Sequence, residues 1–483
     1  MQSRSTVIGD VSAGRRSRWS APHINLYIAV WIGYCALILI LPVRYGRLES
    51  FTTAVSLLLW VLVSAVVAYG VHAVFGRGAD QRRRYVAGRP LETSDVVRIV
   101  YIGMILSAVG FACLFFDRVV LQGIDYSRGI AIARELWRRA GESREGVSSV
   151  FSVVGYIIGF SFFCSIAVAQ LHWERIGKAA RRVVIFGGIV LVMANSLLIG
   201  GRSIVLVQLA AIVAIGGFRK SLGLAAFPGR VGRVFLIGGA LFVLGLGYSI
   251  YVFGARAAAG GGLPALYVEG TLPWLGGEPT DAFFALERLP EALADTAALG
   301  TLAGAYLTHS FGTFESALEF GGTPGTVSFI FVRELLAKMG LIAAPTEALA
   351  FEGRFLSLPG SLWYDFGWVG FYVGAVVMGV LIGVVPAVLS WSRGGGIAIC
   401  IAMTLLLTAL LAPMVMAMDI LCVPFMVIGF GLVDMVHRLR GGGGNWLVVG
   451  RRVWLSGSQP MPVAADGRYE LRGSLDPPAG IVR

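Results

Sequence analysis

His309, Glu315, Glu352 and Asp365 are side chains able to accept a proton, and they fall in one stretch of the chain with Arg354, Trp363 and Tyr364. A neutral imidazole can take a proton from a hydroxyl near physiological pH, and a carboxylate in an apolar setting can do the same. A lone histidine close to Phe311 and Phe314 can equally be a satisfied residue at an apolar interface. Arg256 and Arg354, in the same stretch, offer charge to an anion.

A second constellation is Asn195-Ser-Leu-Leu-Ile-Gly-Gly-Arg-Ser203. Gly200 and Gly201 permit a tight turn, and Ser203 with the first free amides of the following helix would face outwards. A helix N-terminus carries partial positive charge, so Arg202 is unfavourable there unless an anion occupies the site. Arg202 and Ser203 therefore read as half of a phosphate or pyrophosphate cradle. Otherwise Arg202 snorkels to a membrane interface or pairs with a carboxylate. Arg128 and Arg134 belong to residues 117–147, which carry six arginines. Ile130, Ala133, Leu136 and Trp137 recur there at helical spacing, as in a helix lying on a membrane. Pairs such as Arg134 with Glu135 would instead mark a solvated helix.

No phosphate-binding Gly-x-x-x-x-Gly-Lys-Ser/Thr loop and no His-Glu-x-x-His occurs, so ATP-driven and zinc chemistry lack support, and no cofactor or metal is expected. Cys35, Cys113, Cys164, Cys400 and Cys422 all lie in apolar stretches, where cysteine behaves as a small hydrophobe.

The elements that must position these residues are membrane spans. Of 483 residues, 56% are hydrophobic and 14% charged, against roughly 25% charged in soluble domains; the mean hydropathy is +0.76. The expected fold is all-α and polytopic, with about ten spans of roughly 20 apolar residues. They run over 24–42, 51–73, 97–116, 148–170, 183–199, 203–217, 234–254, 365–389, 397–413 and 417–436. With a cytoplasmic N-terminus every inner loop is basic, as orientation by Lys and Arg requires. That topology accounts for most of the net charge of +12 and disfavours nucleic acid as a partner.

The resulting organisation is a cytoplasmic tail, 1–23, and a first block of about seven spans, 24–254, with the outer loop 117–147. A large outer segment, 255–364, contains amphipathic helices, with Gly260-Gly-Gly-Leu-Pro264 as a hinge. A second block of about three spans, 365–436, and a cytoplasmic tail without fixed structure, 437–483, complete the chain. His309 is the one histidine of five on the outer side.

Ser357-Leu-Pro-Gly-Ser-Leu-Trp-Tyr-Asp-Phe-Gly-Trp-Val-Gly370 leads into an apolar run. Ser and Pro there start a helix, with Tyr364 and Asp365 expected in its first turn. Gly370, Gly374, Gly379 and Gly383 form small-xxx-small pairs that let helices approach closely. Trp363, Tyr364, Trp368, Trp274 and Tyr306 either offer flat faces to a ligand or anchor the chain at the interface.

Gly200-Gly-Arg-Ser203 between short spans, Ala305-Tyr-Leu-Thr308, and Leu358 to Gly370 entering a late span together resemble the Wzy-type O-antigen polymerases, also called oligosaccharide repeat unit polymerases. The resemblance covers residues 25–436 and rests on hydropathy more than on identity. It implies a GT-C-like membrane glycosyltransferase of the bacterial inner membrane. Such an enzyme joins undecaprenyl-diphosphate-linked repeat units on the periplasmic side, with a chain-length regulator and a flippase as further partners. Arg202 corresponds to the Arg of the family's Gly-Arg-Ser turn, and Tyr364, Asp365 and Gly367 to its late motif; His309 matches no family position. A ligase that moves a finished glycan from the same carrier, or a transporter of lipid-linked sugars, remains as an alternative. A transporter would show internal repeats and mid-membrane ionisable residues, and neither stands out.

Overall fold

A computed structural model describes residues 21–46, 50–75, 93–127, 149–199, 203–221, 224–227, 245–258, 262–320, 327–328, 355–391 and 396–439, with isolated positions 129, 133, 136, 330, 333 and 342. It is a helical membrane protein with several spans. Among the described residues, eight helices are long and apolar enough to cross a membrane.

In chain order these are α1 (Pro22–Ile40), α2 (Ser50–Phe75), α3 (Thr93–Leu121), α4 (Val150–Leu171), α5 (Lys178–Ile199), α6 (Ser203–Ser221), α11 (Leu358–Trp391) and α13 (Cys422–Leu439). Between α6 and α11 lie α7 (245–258), α8 (Pro264–Thr271), α9 (Glu291–Thr308) and α10 (Ser310–Phe320). The remaining helix, α12 (Gly396–Leu411), is shorter. The expected span at 234–254 is described only over the part of α7 that it shares.

Two starts differ from the expected ones for local reasons. Residue Ser357 caps α11 by accepting from the Gly360 amide at 3.2 Å, so the helix begins at Leu358 and not at 365. Tyr364 and Asp365 therefore sit beyond the first turn. Residues 417–419 form a separate 3₁₀ turn, and α13 begins at Cys422.

Helix α11 is broken at Gly367, whose φ of 64° and ψ of −159° lie outside the helical region. Only glycine adopts this backbone at little cost. After the break the helix runs against α2 through its glycines. A Cβ at Gly379 would stand 2.5 Å from the Ser64 carbonyl oxygen, and one at Gly383 would stand 2.7 Å from that of Ala68. The two backbones thus meet directly, as the glycine spacing implies.

One short ladder accompanies the helices. Strand β1 (Val43–Tyr45) pairs antiparallel with β2 (Gly277–Pro279), with Arg44 opposite Glu278. Gly277 makes room: a Cβ there would lie 2.6 Å from Val43 Cγ1. This ladder ties the α1–α2 connection to the long α6–α11 segment. Helix α9 buries Ala298, Leu299, Leu302 and Ala305 in the core and leaves Glu291, Ala292 and Leu293 exposed.

Helix ends sort onto two faces. On one, the end of α1 meets the α9–α10 elbow, the Leu358 amide donates to Ala412 O at 2.9 Å, and Arg118 reaches Leu198 O. The opposite helix ends carry His23, His72, His172 and His437. There Arg219, fully buried, donates to Gln170 O at 2.6 Å and Leu171 O at 2.8 Å and pairs with Glu174.

Candidate functional site

The α9–α10 elbow is the most densely hydrogen-bonded part of the first face. Tyr34 OH lies 2.7 Å from Ser310 Oγ, which donates to Pro413 O at 2.7 Å. Tyr45 OH lies 2.7 Å from Thr308 Oγ1, and burial pushes its phenol up to about 12. Strand β1 and helices α1, α9 and α10 are thereby locked to the turn after α12.

His309 sits at this elbow with 2% exposure. Its Nδ1 lies 2.7 Å from Tyr306 O, and its Nε2 accepts from the Phe355 amide at 3.0 Å. A carbonyl can only accept and an amide N–H can only donate, so the ring is the neutral Nδ1–H tautomer. Its one lone pair is then engaged. In this arrangement His309 fastens the approach to α11 onto the end of α9.

The side chain of Asp365 is also 2% exposed. Its two oxygens accept from consecutive amides, Val327 at 2.9 Å and Ser328 at 2.6 Å. A carboxylate holding two N–H groups is a strong clamp, and this one lies just before the break at Gly367. Trp363 is half-buried with its ring 6.1 Å from Phe314 and 6.0 Å from Trp368. Half-buried Tyr364 is beside it. Glu315, buried on α10, points its carboxylate towards Gly46 after β1: its Oε1 lies 3.7 Å from where a Gly46 Cβ would be.

Arg256, Tyr306 and Trp274 line one cavity of about 420 Å³, together with Phe253, Tyr267, Gly270 and Thr271. That volume is in the range of small-molecule sites. The Arg256 guanidinium lies 6.0 Å from the centre of the Phe253 ring, and Phe253 and Tyr306 are 5.9 Å apart. Because the Tyr306 carbonyl holds His309, this cavity and the elbow share a wall. Asp365 and Glu315 are not among its described lining residues.

Ser203 begins α6 and is half-buried. Arg202, Arg128, Arg134, Glu352 and Arg354, with Gly260 and the tail from 440, lie outside the described residues. Sequence reasoning missed Asp117 and Arg118, buried at 1% and 2% in a π-helical turn, Phe116–Leu121, that ends α3. Arg118 donates to Leu198 O at 2.5 Å and to Tyr156 OH at 2.8 Å, while Asp117 accepts from Gln122 and Ser149. Arg118 thereby holds the end of α5, and Asp117 ties the end of α3 to the start of α4. An adjacent acid and base closing an apolar run was the signal available.

Among the described residues no group of three or more His, Cys, Asp or Glu is arranged to hold a metal ion. All five cysteines are free. Fold and site define a helical membrane protein with a partly aromatic cavity on one face. Comparison with protein-family models, curated proteins and solved structures finds no match.

Proposed function

We propose that this chain is a GT-C-type glycosyltransferase of the bacterial inner membrane that polymerises undecaprenyl-diphosphate-linked oligosaccharide repeat units into a surface polysaccharide. The observation that carries the reading is the cavity where Arg256, Tyr306 and Trp274 meet on the loop-rich face, taken as exoplasmic. In the reaction the bond from the anomeric carbon to the carrier diphosphate breaks and a bond to an acceptor hydroxyl oxygen forms. The hydroxyl proton passes to a base, and the diphosphate leaves with its charge.

The aromatic faces suit the sugar rings of such a substrate, and the Arg256 guanidinium suits an anionic group beside them. In this reading Arg202 and Ser203 supply the contact to the carrier diphosphate. For the base, Glu315 is the buried carboxylate on the same face, and His309 qualifies once its Nε2 releases the Phe355 amide. Asp365 clamps Val327 and Ser328 beside the break in α11.

Deleting the gene and examining surface glycan tests the reading. Single repeat units capped on the acceptor are expected. Polymer of unchanged length would end the proposal, and long lipid-linked chains accumulating in the membrane would mark a ligase.

A further inference from the structure

The cavity has a chemical bias beyond a general fit to sugars. Its walls are Phe253, Tyr267, Trp274 and Tyr306, and its cation is Arg256. Arg256 is half-buried and, among the described residues, has no carboxylate partner. A guanidinium held against an aromatic face and stripped of part of its water favours an anion that presents two coplanar oxygens, because its N–H fork matches them.

Two anions fit the proposed substrate, a carrier diphosphate and a carboxylate on a sugar ring. The walls distinguish them. A diphosphate carries charge on several oxygens and calls for several converging cations, whereas the described lining offers one, with only the neutral Tyr267, Tyr306 and Trp274 side chains as further donors. Thr271 adds no donor: its hydroxyl proton is given to Tyr267 O at 2.6 Å, so its oxygen is left to accept. An acceptor oxygen repels a phosphate oxygen and suits a sugar hydroxyl. The aromatic faces, with their negative quadrupole, suit the polarised C–H face of a pyranose. Trp274 in the lining is 46% exposed and so presents ring surface to a ligand.

We propose that this cavity binds an acidic pyranose, a uronic acid or similar unit of the glycan, with its carboxylate on Arg256, its hydroxyls towards Thr271 and its ring between the aromatic walls. This deepens the polymerase reading and rests on it for the source of the sugar, but the binding itself is measured independently. The purified full chain in lipid nanodiscs is titrated with methyl glucuronide, methyl glucoside and inorganic pyrophosphate, and binding is followed by saturation-transfer NMR and by tryptophan fluorescence.

The glucuronide is expected to bind at least tenfold more tightly than the glucoside. Arg256→Gln should bring it down to the glucoside level, Arg256→Lys should restore part of the difference, and Glu291→Gln should leave it unchanged. Thermal melting of each variant separates a lost contact from a lost fold. Equal binding of the two sugars, binding of neither, or displacement of the glucuronide by pyrophosphate with the same dependence on Arg256 overturns the inference. Any of these leaves the polymerase reading standing, and a deletion strain with unaltered polymer ends that reading without touching the binding result.

Discussion

The two proton acceptors that stand out in the sequence, His309 and Asp365, both spend their lone pairs on backbone amides. That arrangement predicts stability effects that a base would not show. His309→Ala orphans the Tyr306 carbonyl and the Phe355 amide at a site that is 2% exposed, and each orphaned group costs about 1 to 3 kcal/mol. A fall in melting temperature together with faster hydrogen exchange at Phe355 is expected; unchanged melting with lost glycan synthesis would make His309 the base instead. Asp365→Asn sets an NH₂ group against one of two amide donors, so exchange at Val327 and Ser328 should rise, and normal exchange would refute the clamp. At the opposite face burial, with Arg175 and Arg219 nearby, lowers the His172 pKa from 6.5 to about 3. The unfolded chain therefore binds the extra proton between these values. Stability is full above about pH 6.5 and falls as pH drops towards 3. His172→Gln should flatten that part of the melting-temperature profile, and an unchanged slope would assign the acid sensitivity elsewhere.

At the scale of elements, α11 carries two different uses of glycine. Gly367→Ala forces a side chain into φ 64° and should cost about 1 to 2 kcal/mol. Gly379→Val drives a branched side chain into the Ser64 carbonyl and should prevent α2 and α11 from closing, whereas Gly33→Ala, with nothing within 4 Å, should be tolerated. Membrane yield and melting temperature of the three variants check the order; equal behaviour of Gly379→Val and Gly33→Ala would contradict the contact. The second use was legible in the sequence, because small residues four apart on an apolar helix have few other readings. The break was not, since Gly367 inside an apolar run is equally compatible with a continuous helix, and only the backbone angle separates the two. The π-helical end of α3 was hidden for a similar reason: one extra residue per turn leaves no mark on hydropathy, yet it turns Asp117 and Arg118 inwards together.

For the whole molecule, hydropathy anticipates the eight described spans, because each span satisfies its own backbone and its length is set by the bilayer. The segment from 255 to 364 was far less legible. Its helices α9 and α10 pack through long-range contacts with α1, α2 and the β1 strand, and α8 packs on α9; such partners leave no periodic signal in their own sequence. Of the candidate site, Arg256, Tyr306 and Trp274 were all singled out as residues, but their meeting in one cavity depends on that packing. The two-faced arrangement makes a sharp prediction about orientation. Glu278, exposed on β2, belongs to the face of the cavity, and Glu174, exposed beside Arg219, belongs to the opposite face. In a background with the five native cysteines replaced, Glu278→Cys should react with a membrane-impermeant maleimide in intact cells, and Glu174→Cys only after the membrane is opened. The reverse pattern would put Arg256 and its cavity in the cytoplasm, away from any lipid-linked glycan presented outside, and the polymerase reading would fall with it.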